Sequence, residues 1–514
     1  MSESAPAPVL ELRGISKRFG EVVANDRVDL TLYPGEIHAL VGENGAGKTT
    51  LMRILFGMYR ADAGTVMFRG SPADFHRPMD AIRAGIGMVH QHFMLVPSFT
   101  VAENIVLGAE PPRGGGYSAK TAAAAIAPVA ERLGMTVDPQ AIVGDLSVAT
   151  QQKLEIMKVL YRGARVIVLD EPTAVLTPAE TRELFGLLRR LATEEDAAIV
   201  FISHKLREVF EIADRITVLR QGRTVDSLLA AEATTEEVVA AMTGRSDVNL
   251  GRVERAHRIA PTAVLEVDGL ETEKAPHDAA LGGVGFSIRP GEIVGIAGVE
   301  GNGQTALVEA LVGQTSAQGG SVRLASEELA GLTVAQRRDR GVSFVPEDRQ
   351  REGIPMNGSV LEGLAAGRIR RVHRSSWLAR ALPKQTREWA RDLVDRHRIR
   401  TASIDTRCAY LSGGNQQKIV IARELEEDPK LLVLAQPTRG VDLGAIDFIY
   451  ARIVEAAAAG CAVLLVSADL DELLRLSDRI LVMYDGRIVA EEPAASATRE
   501  QLGVHMVGIG KEES

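Results

Sequence analysis

The stretch GENGAGKTT at positions 42–50 constrains this chain more than any other. Gly42, Gly47, Lys48 and Thr49 fall in the spacing G-x-x-x-x-G-K-[ST]. The apolar run from Ile37 to Val41 before it predicts a buried strand, and Leu51, Ile54, Leu55 and Met58 after it predict one helical face. Strand, glycine-rich turn and helix make up the setting a phosphate-binding loop needs. Glycine lets the backbone wrap an anion closely, because no Cβ intervenes. The N–H groups of such a turn and the positive end of the helix then face the phosphates. Candidate contacts run through Gly42, Glu43, Asn44, Gly45, Ala46, Gly47, Lys48, Thr49 and Thr50. Lys48 would reach the outer phosphates, and Thr49 would ligate Mg²⁺.

The chain also repeats itself at a spacing of roughly 260 residues. Leu10-Glu11-Leu12-Arg13-Gly14-Ile15 recurs as Leu265-Glu266-Val267-Asp268-Gly269-Leu270, and Pro34-Gly35-Glu36 as Pro290-Gly291-Glu292. Asp214-Arg215-Ile216 recurs as Asp478-Arg479-Ile480. Such a period is too long for a solenoid and predicts two copies of one domain. Short apolar runs alternate with helical patterns in each copy, which predicts an α/β fold. The runs at 166–169, 199–202, 431–434 and 463–466 are continuously apolar, as strands covered on both faces are. The expected division is a tail at 1–8, a first domain at 9–247, a linker at 248–262, a second domain at 263–507 and a tail at 508–514.

Net charge is −9 over 514 residues, which argues against a nucleic-acid-binding surface over the whole chain. The only cysteines, Cys408 and Cys461, lack metal spacing and fit a reducing compartment. No apolar run approaches the ~20 residues of a membrane span, so any role at a membrane requires a partner.

In the first copy, RVIVLDEP at 165–172 reads as a buried strand ending in two acids. The carboxyl ends of strands are where α/β sheets bind ligands. Asp170 would hold Mg²⁺, and Glu171 would polarise the attacking water as general base. His204 follows a second apolar strand and could hold the water and the γ-phosphate. Gln91 follows the run at 86–90 and could touch both Mg²⁺ and water. Phe19 could stack on adenine or belong to the core.

The order of phosphate loop, Gln91, Leu146-Ser147, Leu169-Asp170-Glu171-Pro172 and His204 resembles that of ATP-binding cassette (ABC) domains. The resemblance implies tandem ABC-type nucleotide-binding domains. Each would have a RecA-like parallel core, an antiparallel β subdomain and a helical subdomain, with ATP and Mg²⁺ as cofactors. In that family an LSGGQ motif at a helix start binds the γ-phosphate of ATP held by the opposite domain. Each of two sites is therefore built from both halves.

The second copy departs from this pattern. Its loop runs Gly298-Val299-Glu300-Gly301-Asn302-Gly303-Gln304-Thr305, with Gln304 in place of lysine. Glu347 stands where Gln91 stood, Gln436 where Glu171 stood, Ala468 where His204 stood and Lys274 in the register of Phe19. The LS motifs vary in the opposite sense. Leu411-Ser412-Gly413-Gly414-Asn415 is intact, while Leu146-Ser147-Val148-Ala149-Thr150 carries a methyl group where backbone should meet phosphate. The loop after the acid pair follows suit, with Asp442 in the second copy where the first has Thr177. Under the family's cross-pairing, every sound part converges on one site. That site takes Lys48, Thr49, Gln91, Asp170, Glu171 and His204 from copy one, with Ser412, Gly413, Gly414, Asn415 and Asp442 from copy two. The other site collects Gly298, Gly301, Asn302, Gly303, Gln304, Thr305, Glu347, Gln436 and Ser147. It is expected to hydrolyse almost nothing but to keep nucleotide, through the N–H groups of Gly301, Gly303 and the helix start.

The stretches MVHQHFMLVPSFTVAENIVLG, GIAGVEGNGQ, VPEDR, LSGGNQQK and AQPTRGVDLGA resemble most closely the ATPases of bacterial nucleoside importers. LSVAT departs from the LSVGE more usual in that branch. The resemblance implies a motor held on the cytoplasmic face of the membrane by two integral permease subunits. Their loops would dock near Gln91 and Glu347, at 93–103 and 350–361. An extracellular lipoprotein-type solute-binding protein would act through the permease, and no nucleic acid is implied. The alternatives are a simple-sugar importer ATPase of the ribose and galactose type and a non-transport twin-cassette ATPase. Twin-cassette ATPases acting on ribosomes usually keep two intact sites and a long charged linker, which this chain lacks.

Overall fold

A computed structural model describes residues 7–20, 22–43, 45–90, 93–111, 118–173, 176–203, 205–244, 259–274, 278–367, 384–441 and 443–508. The chain divides into two compact units, 1–248 and 249–514. No helix among the described residues is long and apolar enough to cross a membrane.

The described residues of the first unit contain ten strands: β1 (Leu10–Phe19), β2 (Val22–Leu32), β3 (Ile37–Val41), β4 (Ala63–Phe68), β5 (Ser71–Ala73), β6 (Ile86–Val89), β7 (Val166–Asp170), β8 (Ala198–Ile202), β9 (Arg215–Arg220) and β10 (Arg223–Leu229). They form an antiparallel sheet ordered β2-β1-β4-β5 and a six-stranded sheet ordered β10-β9-β3-β8-β7-β6. Within the larger sheet β9, β3, β8, β7 and β6 run parallel, and β10 closes one edge antiparallel. The carboxyl ends of β3, β6, β7 and β8 therefore share one edge.

Alternation along β7 explains its unbroken apolar run. Val166 and Val168 face a core shared with the antiparallel sheet and the helix Lys48–Leu55. Ile167 and Leu169 face a second core, shared with the helices Val101–Val106, Ala119–Leu133 and Val148–Tyr161. Each such side chain contributes roughly 1.5–3 kcal/mol on burial, so both faces are strongly specified. The helix after the glycine loop buries Leu51, Met52, Ile54 and Leu55. Met58, expected on that face, is 48% exposed. The helix stops at Leu55, and Gly57 turns left-handed at φ 72°, so the next turn of the stripe does not form.

The second unit repeats the plan with β11 (Leu265–Glu271), β12 (Gly282–Ile288), β13 (Ile293–Ala297), β14 (Gly319–Leu324), β15 (Glu327–Glu328), β16 (Val342–Val345), β17 (Leu431–Ala435), β18 (Ala462–Val466), β19 (Arg479–Tyr484) and β20 (Arg487–Pro493). Its sheets are ordered β12-β11-β14-β15 and β16-β17-β18-β13-β19-β20. The helices Val360–Ala365, Lys384–Arg396 and Gly413–Leu425 form its helical layer.

Candidate nucleotide site

The loop after β3 is held open by left-handed glycines, Gly42 at φ 152°, Gly45 at 84° and Gly47 at 100°. A Cβ on Gly42 would lie 2.2 Å from the carbonyl oxygen of Leu219, and one on Gly47 would lie 2.3 Å from that of Ala24. Gly47 caps the helix Lys48–Leu55 without a side-chain hydrogen bond, and no acid lies in the first turn. The N–H groups at this helix start thus suit an anion. Lys48 is buried, and its Nζ donates to the main-chain oxygens of Gly42 at 2.7 Å and Glu43 at 3.1 Å. Burial lowers the Lys48 ammonium pKa, opposed by the charges of Glu171, Asp170 and Glu43. Thr49 is exposed beside it, and Thr50 and Ala46 complete the turn.

β7 ends beneath this loop. Burial, and then the neighbouring Glu171, push the Asp170 carboxyl up to about 6, while Lys48 opposes the shift. Glu171 sits at φ 50°, and its N–H donates to the carbonyl of Ile202 at 3.0 Å. Phe19, at the end of β1, is 42% exposed and lies outside the core. Its ring meets Tyr59 edge-on at 5.3 Å, with Lys17 Nζ 5.6 Å from its centre. Asn44, Gln91, His204 and Asp442 lie outside the described residues.

Sequence reasoning missed a buried knot that fixes the strand ends. Glu208 accepts from Thr173 Oγ1 at 2.5 Å and from Ser203 Oγ at 3.2 Å, and it pairs with Lys205 at 3.4 Å. Glu472 repeats the arrangement, accepting from Thr438 Oγ1 at 2.9 Å. Burial pushes its carboxyl up to about 7, against a hydrogen bond from Ser467. The recurrence of Thr after the acid turn and Glu after the serine was the available signal.

In the second unit the backbone is kept while the chemistry changes. Gln436 takes φ 48°, as Glu171 takes 50°. Its Oε1 accepts from the N–H of Ala468 at 3.0 Å. Gln304 Nε2 donates to the carbonyl of Val299 at 3.1 Å, the counterpart of the contact from Lys48 to Glu43. The N–H groups of Gly303 and Ala306, expected to face phosphate, instead donate to the Asp278 carboxylate at 2.6 and 2.9 Å. Asp278 carried no motif to announce this contact. Gly298, Gly301, Asn302 and Thr305 hold the same loop order, with Asn302 Nδ2 donating to Val299 O at 3.1 Å.

Both LS serines are helix N-caps. Ser147 accepts from Thr150 N at 3.3 Å and Ser412 from Asn415 N at 3.4 Å. Asn415 Nδ2 also donates to Ser412 Oγ at 2.9 Å, and its Oδ1 accepts from Arg400 N at 2.8 Å. A Cβ on Gly413 would lie 2.9 Å from Gly440 O and 2.5 Å from the Arg349 guanidinium. Gly414 is buried in the helix start. Arg349 donates to the carbonyls of Arg439 at 2.6 Å and Gly440 at 3.1 Å, while Arg439 pairs with Glu347. Asp348 caps the next turn, accepting from Gln350 N and Arg351 N. The segment that starts at Glu347 is thereby tied to the start of the LSGGN helix.

A parallel sheet with a glycine-rich loop at its carboxyl edge and a buried lysine over an acid pair defines a phosphate-loop protein. The ABC transporter family model matches residues 25–174 and 281–439, and the chain belongs to that family. It carries two cassettes, one per unit, and is an ATPase coupled to transport. It is 43% identical to a nucleoside import ATP-binding protein of Lactococcus lactis subsp. cremoris, over 97% of this chain and 98% of that one. It is 40% identical to a guanosine import ATP-binding protein of Bacillus subtilis, over 98% of each. Identity to a ribose import ATP-binding protein of Rubrobacter xylanophilus is 44%, over 96% of this chain and 97% of that one.

Proposed function

We propose that this chain is the motor of a bacterial nucleoside importer, with one hydrolytic and one degenerate site. The observation that carries the asymmetry is the pair of matching turns. The first holds Asp170-Glu171 beneath Lys48, and the second, in the same backbone conformation, holds Ala435-Gln436. Lys48 and the loop N–H groups bind the phosphates, Glu171 takes the proton of the attacking water, and Gln91 and His204 orient that water. Phe19 offers its ring to adenine. Ser412, Gly413, Gly414, Asn415 and Asp442 complete the working site, as the sorting of intact and eroded motifs implies. The functional domains are taken as 9–247 and 263–507, joined by 248–262.

Mg²⁺ fits the residues present. Asp170 is a buried carboxyl whose charge is costly beside Glu171, and Thr49, the residue after Lys48, offers a hydroxyl. Thr49, Asp170 and Gln91 would hold the ion, which would neutralise charge on the phosphates. Two permease subunits, docking near Gln91 and Glu347, would hold the chain at the cytoplasmic face of the membrane. A lipoprotein-type binding protein would deliver solute to them from outside.

The nucleoside assignment is supported by full-length similarity to the two nucleoside-type relatives and by the GNGQ and AQPTRG stretches. A simple-sugar importer is the second reading, favoured by the equally high identity to the ribose-type relative. Transport by the reconstituted complex, with purine and pyrimidine nucleosides competing against ribose and galactose, decides between them. Competition by ribose alone would overturn the nucleoside assignment.

A further inference from the structure

The second glycine loop is filled from within the chain. Asp278 is 9% exposed, just before β12. Its Oδ1 accepts from Gly303 N at 2.6 Å and its Oδ2 from Ala306 N at 2.9 Å. Oδ1 also accepts from Ala279 N at 3.0 Å. Aligned on G-x-x-x-x-G, Gly303 holds the place of Gly47 and Ala306 that of Thr50. In the first loop the residue aligned with Ala280, Ala24, is followed by Asn25, whose Nδ2 donates to Gly47 O at 3.2 Å.

The seat is built into the fold. Ala279 N donates to Gly301 O at 3.0 Å, and Gly282 N to Gly486 O at 3.0 Å, so the strand entry that carries Asp278 is stitched to the loop. Asn302 Oδ1 accepts from Asp485 N at 2.9 Å on the far side.

We infer that Asp278 is an intramolecular competitor for nucleotide phosphate, and that it decides which of the two loops takes ATP tightly. A helix start binds a carboxylate for the same reason it binds a phosphate. A tethered anion has an effective concentration in the millimolar range, so a free nucleotide must outcompete it. Displacing it leaves a carboxylate near a polyphosphate, and like charges at short range repel. Gln304, unlike Lys48, brings no cation to offset that repulsion. The inference rests on reading the second loop as a nucleotide cradle but is independent of the transported solute.

Calorimetric titration of the full chain with Mg²⁺ and a non-hydrolysable ATP analogue tests it. The wild type is expected to show one tight binding event. Asp278→Ala adds a second event, at least about tenfold tighter than any second event in the wild type. Asp278→Asn keeps the shape, removes the charge and gives a smaller gain, and it decides the matter if the alanine variant does not fold. Two wild-type events of like affinity, or a second event unchanged in both variants, would overturn the inference. The loss of turnover in Glu171→Gln reads the first loop alone, so failure of the proposed hydrolytic site would be seen separately.

Discussion

Glu171 and Gln436 occupy the same strained turn, near φ 50° in both units. The acid is therefore not needed to make the turn, and the proposed function gives it the role of general base. Glu171→Gln is expected to lower ATP turnover by roughly 10²–10⁴, the usual worth of a general base, with an unchanged melting temperature. Gln436→Glu is expected to restore nothing, because Gln304 supplies no lysine charge. Steady-state phosphate release measures both. Asp170 carries a pH dependence of definite sign. Its folded-state value of about 6 lies above the ordinary 3.8, so its proton is held more tightly in the folded chain. The stability it contributes is complete below about pH 4 and is lost as pH rises through about 6. Without nucleotide, Asp170→Asn should thus be more stable than wild type above pH 6, by on the order of 3 kcal/mol. The difference should vanish near pH 4 in thermal melts. The identities of both acids were legible in the sequence, because a run of apolar residues ending in Asp-Glu has few structural uses.

The glycine loop separates three substitutions by what surrounds each position. Gly42→Ala and Gly47→Ala drive a methyl group into backbone oxygens at 2.2 and 2.3 Å, which cannot yield without moving β9 or the entry to β2. Both are expected to abolish ATP binding, measured by titration. Gly45 has open space around it and only its φ of 84° to defend. Gly45→Ala should therefore cost about 1–2 kcal/mol of loop strain and retain binding. Arg349 connects elements distant in sequence, through the carbonyls of Arg439 and Gly440 and the flank of Gly413. Hydrogen bonds from a charged donor are worth roughly 1.5–3 kcal/mol each. Arg349→Ala should lower kcat by about tenfold with little change in KM, and Arg349→Lys should restore part of it. The length of the first helix was overread in the sequence, since Met58 fits the helical period. The stop at Leu55 comes just before the left-handed Gly57, where a Cβ would lie 2.7 Å from the carbonyl oxygen of Arg77.

The proposed pairing of the two cassettes, with complementary motif losses, gives the whole chain one division of labour. Ser147 and Ser412 are equivalent helix caps, each worth about 1 kcal/mol to its own helix. Ser147→Ala and Ser412→Ala should therefore destabilise alike. Only Ser412→Ala should depress turnover, if the intact motif of one cassette serves the loop of the other. Equal activity losses would reject that pairing. Both units keep the Thr–Ser–Glu knot, through Glu208 and Glu472, although only the first keeps the acid pair. The second cassette thus keeps the strand-end scaffold without the hydrolytic groups.

The sequence by itself determined the α/β class, the duplication, the loop and the order of its chemical residues. Each of these is written as a local pattern: a period, a spacing, or a residue type at a strand end. Tertiary structure alone decided that Asp278 fills the second loop, that Arg349 braces the LSGGN helix, and that Glu208 and Glu472 knot the strand ends. Those contacts join residues from different loops, and the path of the backbone through space, not a spacing along the chain, brings donor to acceptor.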